Sequence, residues 1–177
     1  MTYRKVFITS DLHLGHRKII EYENRPFSDV NEMDEGIINR WNSVVTKNDL
    51  VYLLGDIAMY HKRSKLLELL NGLNGDIILV MGNHDFSYKE SWLSSCGRFK
   101  MVSPYPIIVD NWFILSHEPI YLERNSPFVN IYGHVHGDDR YKNFSYNSAC
   151  VCVERNDYFP IEFEVIKSKI KDIRDNC

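Results

Sequence analysis

Five short polar blocks, each directly behind a β-like apolar run, constrain this chain more than any other feature of its sequence. Together they hold five of its seven histidines. The blocks are Asp11-Leu12-His13, Gly55-Asp56, Gly82-Asn83-His84-Asp85, Ser116-His117 and Gly133-His134-Val135-His136. Each preceding run is rich in β-branched or large apolar residues and stops at the polar residue, which is typical of a buried strand.

These runs predict five strands whose carboxyl ends carry the polar blocks. They are Val6 to Thr9, Leu50 to Leu54, Ile77 to Met81, Trp112 to Leu115, and Val129 to Tyr132. In an open sheet, side chains just past the carboxyl ends of strands line a common crevice. We therefore expect the five blocks to converge on one site. Asp, Asn and His at this density would repel one another or lie unsatisfied unless cations held them.

Helical segments alternate with the strands, which favours α/β layering. A short helix is predicted from His16 to Asn24. An amphipathic helix is predicted from Glu32 to Thr46, with Asn31 or Asp29 as its cap. A third helix is predicted from Lys62 to Leu70, ended by Gly72 or Gly75.

The second half of the chain is richer in β-like runs. Further strands are predicted from Phe99 to Val102, Ile107 to Val109 and Phe144 to Val153, with a tight turn at Asp110-Asn111. Behind Pro160, apolar residues recur at helical spacing to near the end of the chain. Acidic residues interleave with the lysines of that helix, so we interpret its polar face as solvated rather than as a nucleic-acid surface.

Size and composition indicate an ordinary globular protein. At 177 residues, the chain is most simply one domain spanning residues 1–177. The net charge of −3 provides no broad basic field for a polynucleotide or an anionic membrane. There is no signal peptide or apolar stretch near the ~20 residues of a membrane span, so a cytoplasmic location is expected.

The four cysteines match no zinc ribbon or finger. Cys150 and Cys152 would share one face of a strand, where they could bind an ion or pair with each other. The interpretation we favour is two small buried apolar residues.

The order Asp-x-His, Gly-Asp, Gly-Asn-His-Asp, His, Gly-His-x-His resembles the calcineurin-like metallophosphoesterase superfamily across about residues 6 to 140. The segment Asp11 to His16, followed by Arg25-Pro26-Phe27, resembles its small bacterial and phage members. One block alone would be weak evidence, whereas five in order at strand ends are specific. The resemblance implies a four-layer α-β-β-α sandwich of two mixed β-sheets flanked by helices.

The resemblance also implies a dinuclear metal site. One ion would take Asp11, His13, Asp56 and His136, and the other Asp56, Asn83, His117 and His134, so that Asp56 bridges. Mixed nitrogen and oxygen donors without cysteine suit divalent transition metals. We favour Mn²⁺, with Fe, Zn²⁺ and Ni²⁺ as alternatives.

Two such ions would clamp a phosphoryl group and lower the pKa of a bridging water, which would attack phosphorus as hydroxide. By resemblance, His84 is the general acid for the leaving oxygen. Asp85 could orient or support His84. Candidates for substrate contact are His16, Arg17 and Arg25, of which the guanidinium groups match phosphate geometry.

The sequence therefore predicts a hydrolase of small phosphate esters. A phosphodiesterase is favoured, and a phosphomonoesterase or nucleotide phosphatase is the alternative. A non-catalytic metal-binding scaffold is the rival from another class, but every expected ligand and His84 are present. No extended nucleic-acid surface is evident, because the net charge gives no sign of a basic groove. Oligomeric state and natural substrate are left open.

Overall fold

The computed structural model describes residues 3–176, and its strands form two mixed sheets. In chain order, the strands are β1 (Val6–Thr9), β2 (Leu50–Leu53), β3 (Asp76–Val80), β4 (Phe99–Ser103), β5 (Ile107–Val109), β6 (Phe113–Ser116), β7 (Val129–Tyr132), β8 (Ser148–Cys150) and β9 (Ile161–Glu162). The first sheet has the order β4-β3-β2-β1-β9, with β9 antiparallel to its neighbour and the rest parallel. The second has the order β5-β6-β7-β8, in which β5 is antiparallel.

The helices flank this pair of sheets. They are α1 (Arg17–Tyr22), α2 (Val30–Val44), α3 (Arg63–Asn71), α4 (Glu90–Ser95) and α5 (Phe163–Asp175). Asp29 caps α2, because its side chain accepts hydrogen bonds from the backbone N–H groups of Asn31 and Glu32. The sequence predicted Asn31 or Asp29 as the cap of this helix, and the structure shows that it is Asp29.

Alternation along the strands divides the core into two layers. Phe7 packs with the apolar residues of α1 to α4, whereas the next residue, Ile8, packs with the second sheet. Trp41 of α2 is fully buried in the first layer. Phe163 and Ile166 of α5 join the second layer. The predicted fold class, two mixed sheets flanked by helices, is confirmed.

Strand β8 and helix α4 are two of the elements that differ from the sequence predictions. The strand predicted from Phe144 to Val153 is wrong in extent, because only Ser148–Cys150 pairs with β7. Ser145 and Asn147 turn the chain instead, since the Ser145 hydroxyl bonds to both the backbone and the side chain of Asn147. Helix α4 has no counterpart among the predictions, because it is one short segment of six residues.

The register of the parallel strands brings the polar blocks together. Thr9 at the end of β1 pairs with Leu53 of β2, and Leu53 pairs with Leu79 of β3. In the second sheet, Ser116 pairs with Tyr132. A bridge between Ser10 and Cys152 then joins the chain beyond β8 to the first block. Within residues 3–176, no helix has both the length and the apolar character that a membrane crossing needs.

Candidate metal centre

The backbone of the polar blocks is held in an unusual conformation. Five of the seven candidate ligands have left-handed φ angles, namely Asp11 (60°), His13 (51°), Asp56 (53°), His134 (70°) and His136 (44°). Such angles cost about 1–3 kcal/mol each in residues other than glycine, so the surrounding structure must hold them. Part of that support is a ladder between the loops, in which the N–H groups of Asp11 and His13 donate to the carbonyls of Gly55 and Asp56.

Asp11, His13 and His136 form one cluster of potential ligands. One ligand atom from each lies within 4.8 Å of the others. The Nε2 atom of His136 is 3.7 Å from Oδ1 of Asp11. Both that oxygen and Nε2 of His13 are buried and have no hydrogen-bond partner among residues 3–176. Since a buried polar atom without a partner is costly, a cation between these atoms fits the cluster.

Asp56, His117 and His134 form the second cluster. Nδ1 of His117 donates to the Leu54 carbonyl at 2.8 Å, so in the neutral ring Nε2 presents its lone pair. That nitrogen faces Oδ1 of Asn83 at 3.0 Å and Nδ1 of His134 at 3.1 Å. Oδ2 of Asp56 lies 3.5 Å away. Lone pairs that converge in this way also fit a bound cation.

Asp56 lies between the two clusters. Its Oδ2 atom is 3.4 Å from Nε2 of His13 and 3.5 Å from Nε2 of His117. Its other oxygen accepts a hydrogen bond from the backbone N–H of His84, which fixes the carboxylate. One buried carboxylate therefore reaches ligands of both clusters, as a bridging residue must.

Two glycines make room for these carboxylates. A Cβ atom added to Gly82 would lie 2.3 Å from Oδ1 of Asp56. A Cβ atom added to Gly133 would lie 2.4 Å from Oδ2 of Asp11. Neither glycine has a positive φ angle, so close approach to the ligands, rather than backbone conformation, requires the missing side chain.

Their environments shift the pKa values of His13 and His136 in opposite directions. Burial lowers the pKa of His13 far below its usual value, and the nearby charges of His136 and Arg25 lower it further. Burial also lowers the pKa of His136, but the hydrogen bond to Glu154 and the charges of Asp11 and Glu154 outweigh it and raise the pKa to about 9. His13 is therefore held in the neutral form that binds metals, and His136 is oriented by a carboxylate.

Arg25 does not lie at the mouth of the site, so its predicted contact with substrate is wrong. Its guanidinium is fully buried and forms an ion pair with Glu154 at 2.6 Å. It also donates to the carbonyls of Asp11, at 2.8 Å, and Leu12, at 2.9 Å. All three guanidinium nitrogens of Arg25 therefore donate to protein atoms. Arg25 stabilises the backbone of the first block instead of contacting substrate.

Glu154 is the residue that the sequence analysis missed. Its Oε1 atom lies 3.0 Å from Nδ1 of His136 and also accepts from the guanidinium of Arg25. Burial raises the pKa of Glu154, but His136 and Arg25 outweigh burial and lower it. A signal was present, because Glu154 follows the apolar run that ends at Val153, as the five blocks follow theirs.

The Asp85 carboxylate forms no hydrogen bond to the His84 side chain, so the prediction that it orients that histidine is wrong, whereas electrostatic support of His84 stays a prediction. Asp85 is fully buried, and its carboxylate accepts hydrogen bonds of 2.9 Å from the backbone N–H groups of Asp56, Ile57 and Gly82. Burial raises the pKa of Asp85 to about 7, and the three N–H donors oppose that rise. Asp85 therefore ties the second block to the third.

His84 and His16 lie beside the two clusters. The His84 side chain is 38% exposed, and its Nε2 atom is 3.9 Å from Oδ2 of Asp56. Nδ1 of His16 is 3.3 Å from Nδ1 of His13. Arg17 is exposed at the start of α1. The roles of His84 in proton transfer and of His16 and Arg17 in substrate contact stay predictions.

Cys150 and Cys152 are buried free thiols whose sulfur atoms lie 3.4 Å apart. They pack against Tyr132 in a small cluster on the second sheet. This placement agrees with the interpretation of both as small buried side chains.

An acidic cavity of about 760 Å³ opens beside His134 and His136. Its lining includes the carboxylates of Glu23, Glu118 and Asp138. The one arginine among its lining residues, Arg140, donates to both oxygens of Asp138, so much of the Arg140 charge is neutralised. The surroundings of the clusters on this side are therefore negative.

Comparison with known proteins finds relatives of similar sequence. The chain is 40% identical over 137 residues to an uncharacterized protein of Methanocaldococcus jannaschii, covering 73% of this chain and 78% of that protein. It is 38% identical over 81 residues to the gene 66 protein of Mycobacterium phage L5, covering 45% of this chain and 39% of the phage protein.

The fold is similar to the crystal structure of a protein of unknown function from Aquifex aeolicus. The TM-score is 0.73 at 24% identity, over 94% of this chain and 99% of the other. The family model of the calcineurin-like phosphoesterases matches residues 4–158, which include all five polar blocks and Glu154. The chain is a member of the calcineurin-like phosphoesterase family.

Proposed function

We propose that this protein hydrolyses small phosphate esters with the help of two divalent metal ions, and that phosphodiesters are its preferred substrates. The observation that carries the proposal is the position of Asp56 between the Asp11–His13–His136 cluster and the His117–His134 cluster. Family membership supports metal-dependent hydrolysis of phosphate esters.

The residues of each cluster would hold one ion, with Asp56 shared and Asn83 completing the second set. Two bound ions supply a Lewis-acid clamp for phosphoryl oxygens and lower the pKa of a water nucleophile. The mixed carboxylate, amide and imidazole donors suit divalent transition metals, of which we favour Mn²⁺, with Fe, Zn²⁺ and Ni²⁺ as alternatives.

The chain itself would supply the proton for the leaving oxygen. His84 projects its ring beside Asp56 and is partly exposed, so it can meet both substrate and solvent. An imidazole titrates near neutrality, which suits a group that donates a proton and regains it in each cycle. We therefore assign His84 as the general acid.

Charge around the clusters favours a diester. A monoester near neutrality carries close to two negative charges, as phosphorylated side chains do, and a diester carries one less. Glu23 and Glu118 would repel the more highly charged monoester more strongly than the diester, whereas the charge of Asp138 is paired with Arg140. The same carboxylates disfavour a polynucleotide, which needs a basic groove.

A non-catalytic scaffold is the rival proposal. A scaffold needs neither the full ligand set nor a proton donor. Here all seven candidate ligands converge and His84 lies next to them, which favours the enzyme.

An activity panel on metal-stripped protein tests the proposal. The apoprotein is reloaded separately with Mn²⁺, Fe²⁺, Zn²⁺, Ni²⁺ or Mg²⁺ and assayed with bis(4-nitrophenyl) phosphate, 4-nitrophenyl phosphate, cyclic nucleotides and short oligonucleotides. We expect no hydrolysis before reloading, and the highest kcat/KM with Mn²⁺ and the diester. A higher kcat/KM for the monoester would establish the phosphomonoesterase alternative. Metal binding without hydrolysis of any ester would establish the scaffold.

A further inference from the structure

A second cavity, which shares Glu118 and Pro119 with the acidic one, is lined mainly by apolar and aromatic groups. Its volume is about 300 Å³, near the lower end of the roughly 300–1,000 Å³ typical of ligand pockets. Two candidate metal ligands, Asn83 and His117, form part of its wall. A substituent bound in this cavity could therefore be part of the same molecule as a phosphoryl group held at the metal centre.

The rest of the wall is suited to a flat apolar group. Phe86 and Tyr105 stand at this cavity with 55% and 74% of their surfaces exposed. Three prolines and Ile120 complete much of the remaining surface. Large aromatic side chains left open to water beside a reaction centre are candidates for stacking on an aromatic ligand.

Hydrogen bonds hold both walls in place. The Ser103 hydroxyl donates to the Tyr105 carbonyl at 2.7 Å, which fixes the turn that carries Tyr105. The backbone N–H of Ile120 donates to the buried side chain of Asn130, also at 2.7 Å. The backbone segments that carry Tyr105 and Ile120 are therefore held in place, which lowers the entropic cost of ordering them on binding.

The charge of the cavity excludes a second phosphate. None of the described residues that line it is Lys or Arg, and Glu118 adds a carboxylate to the lining. An anionic substituent of the substrate would be repelled here, whereas an uncharged aromatic substituent would bury apolar surface against Phe86 and Tyr105.

We propose that this cavity is a specificity subsite for an uncharged aromatic group on one ester arm of the substrate. The preferred substrates would be phosphate esters that carry an aromatic ring next to the phosphorus. The inference rests on the proposed function, because it places the phosphoryl group at the metal centre. Phe86 and Tyr105 are the residues that would recognise the ring.

Binding of two phosphonates that are not hydrolysed tests this subsite separately from turnover. Isothermal titration of the Mn²⁺-loaded protein compares phenylphosphonate with methylphosphonate, which share a headgroup and differ in the ring. We expect about tenfold tighter binding of phenylphosphonate, as burial and stacking of a ring would give. Phe86→Ala and Tyr105→Ala should each reduce that ratio several-fold and leave methylphosphonate affinity unchanged.

Tyr121→Ala is the matched control, because Tyr121 is 87% exposed and does not line this cavity. It should keep the wild-type ratio. Equal affinities of the two phosphonates in wild type, or a ratio that neither Phe86→Ala nor Tyr105→Ala lowers, would overturn the subsite. If esters are still hydrolysed in that case, the subsite alone fails and the proposed function stands.

Discussion

Oε1 of Glu154 lies 3.0 Å from Nδ1 of His136 and accepts two hydrogen bonds from the guanidinium of Arg25. Because the carboxylate accepts, Nδ1 of His136 carries the hydrogen and Nε2 is directed towards Asp11, 3.7 Å from its Oδ1. Arg25 in turn donates to the carbonyl of Asp11. One buried ion pair thus positions the first and the last of the five blocks relative to each other.

Replacing Glu154 should weaken the Asp11–His13–His136 cluster as a metal site. Carboxylates that orient a metal-binding histidine typically contribute about 10–100-fold in metal affinity. Glu154→Ala would also leave the charge of Arg25 buried and unpaired, which costs about 3–5 kcal/mol. We expect a lower affinity for one of the two ions in a competitive chelator titration, together with a lower Tm.

The control for this change is Glu164→Gln, which removes a carboxylate from an exposed pair with Lys167. Glu164→Gln should leave metal affinity unchanged and should lower Tm only by the small contribution of a surface ion pair. Wild-type affinity for both ions in Glu154→Ala would show that the carboxylate has no part in orienting His136.

Adding a methyl group at Gly133 should disturb the metal centre more than the fold. The new Cβ would lie 2.4 Å from both Oδ2 of Asp11 and Oγ of Ser10, so the ligand has to move. Overpacking of this kind typically costs about 1–3 kcal/mol. Elemental analysis of Gly133→Ala after dialysis should show less bound metal than in wild type.

Gly97→Ala is the control that separates loss of metal binding from loss of fold stability. It meets no atom within 4 Å, but its φ of +79° is strained for alanine and costs about 1–2 kcal/mol. The two variants should lose similar stability in urea unfolding, and only Gly133→Ala should lose metal. Equal metal contents in Gly133→Ala and Gly97→Ala would contradict the proposal that a side chain at position 133 displaces Asp11.

Removing the His84 ring should abolish most turnover without removing metal. Loss of a positioned general acid typically lowers kcat by about 10²–10⁴-fold. The loss should be smaller for aryl esters, since their leaving groups need less protonation. Steady-state kinetics of His84→Ala on aryl and alkyl diesters, with metal content measured in parallel, would check this.

His61→Ala is the matched variant, because His61 is an exposed histidine outside the five blocks. Its kinetics and metal content should equal those of wild type. Should His84→Ala slow all esters by the same factor, or lose its metal, the assignment of His84 as the acid would be wrong.

Asp56→Asn and Asp11→Asn should differ in metal stoichiometry. Asp56 lies within 3.5 Å of His13 and of His117, whereas Asp11 belongs to one cluster only. We expect the first variant to lose both ions and the second to lose one, as read by elemental analysis of protein reloaded with Mn²⁺. The same loss in both variants would refute a bridging role for Asp56.

The strands that carry the site could be read directly from the sequence. Val6–Thr9 and Val129–Tyr132 begin and end where their apolar runs do, because a strand buried on both faces needs an uninterrupted apolar run. The strand predicted from Phe144 to Val153 is too long, because hydrogen bonds between the Ser145 hydroxyl and Asn147 compete with strand pairing there.

The sequence by itself determined which residues could bind metal, because periodicity and polar blocks at strand ends are local properties of the chain. It could not determine which charged residues support those ligands. Arg25 and Glu154 are 129 positions apart, and only the folded chain buries them together. Asp85 adjoins His84 in the chain, yet burial turns its carboxylate to three backbone N–H groups. Partners of buried charges are chosen by desolvation and three-dimensional proximity, which only the tertiary structure sets.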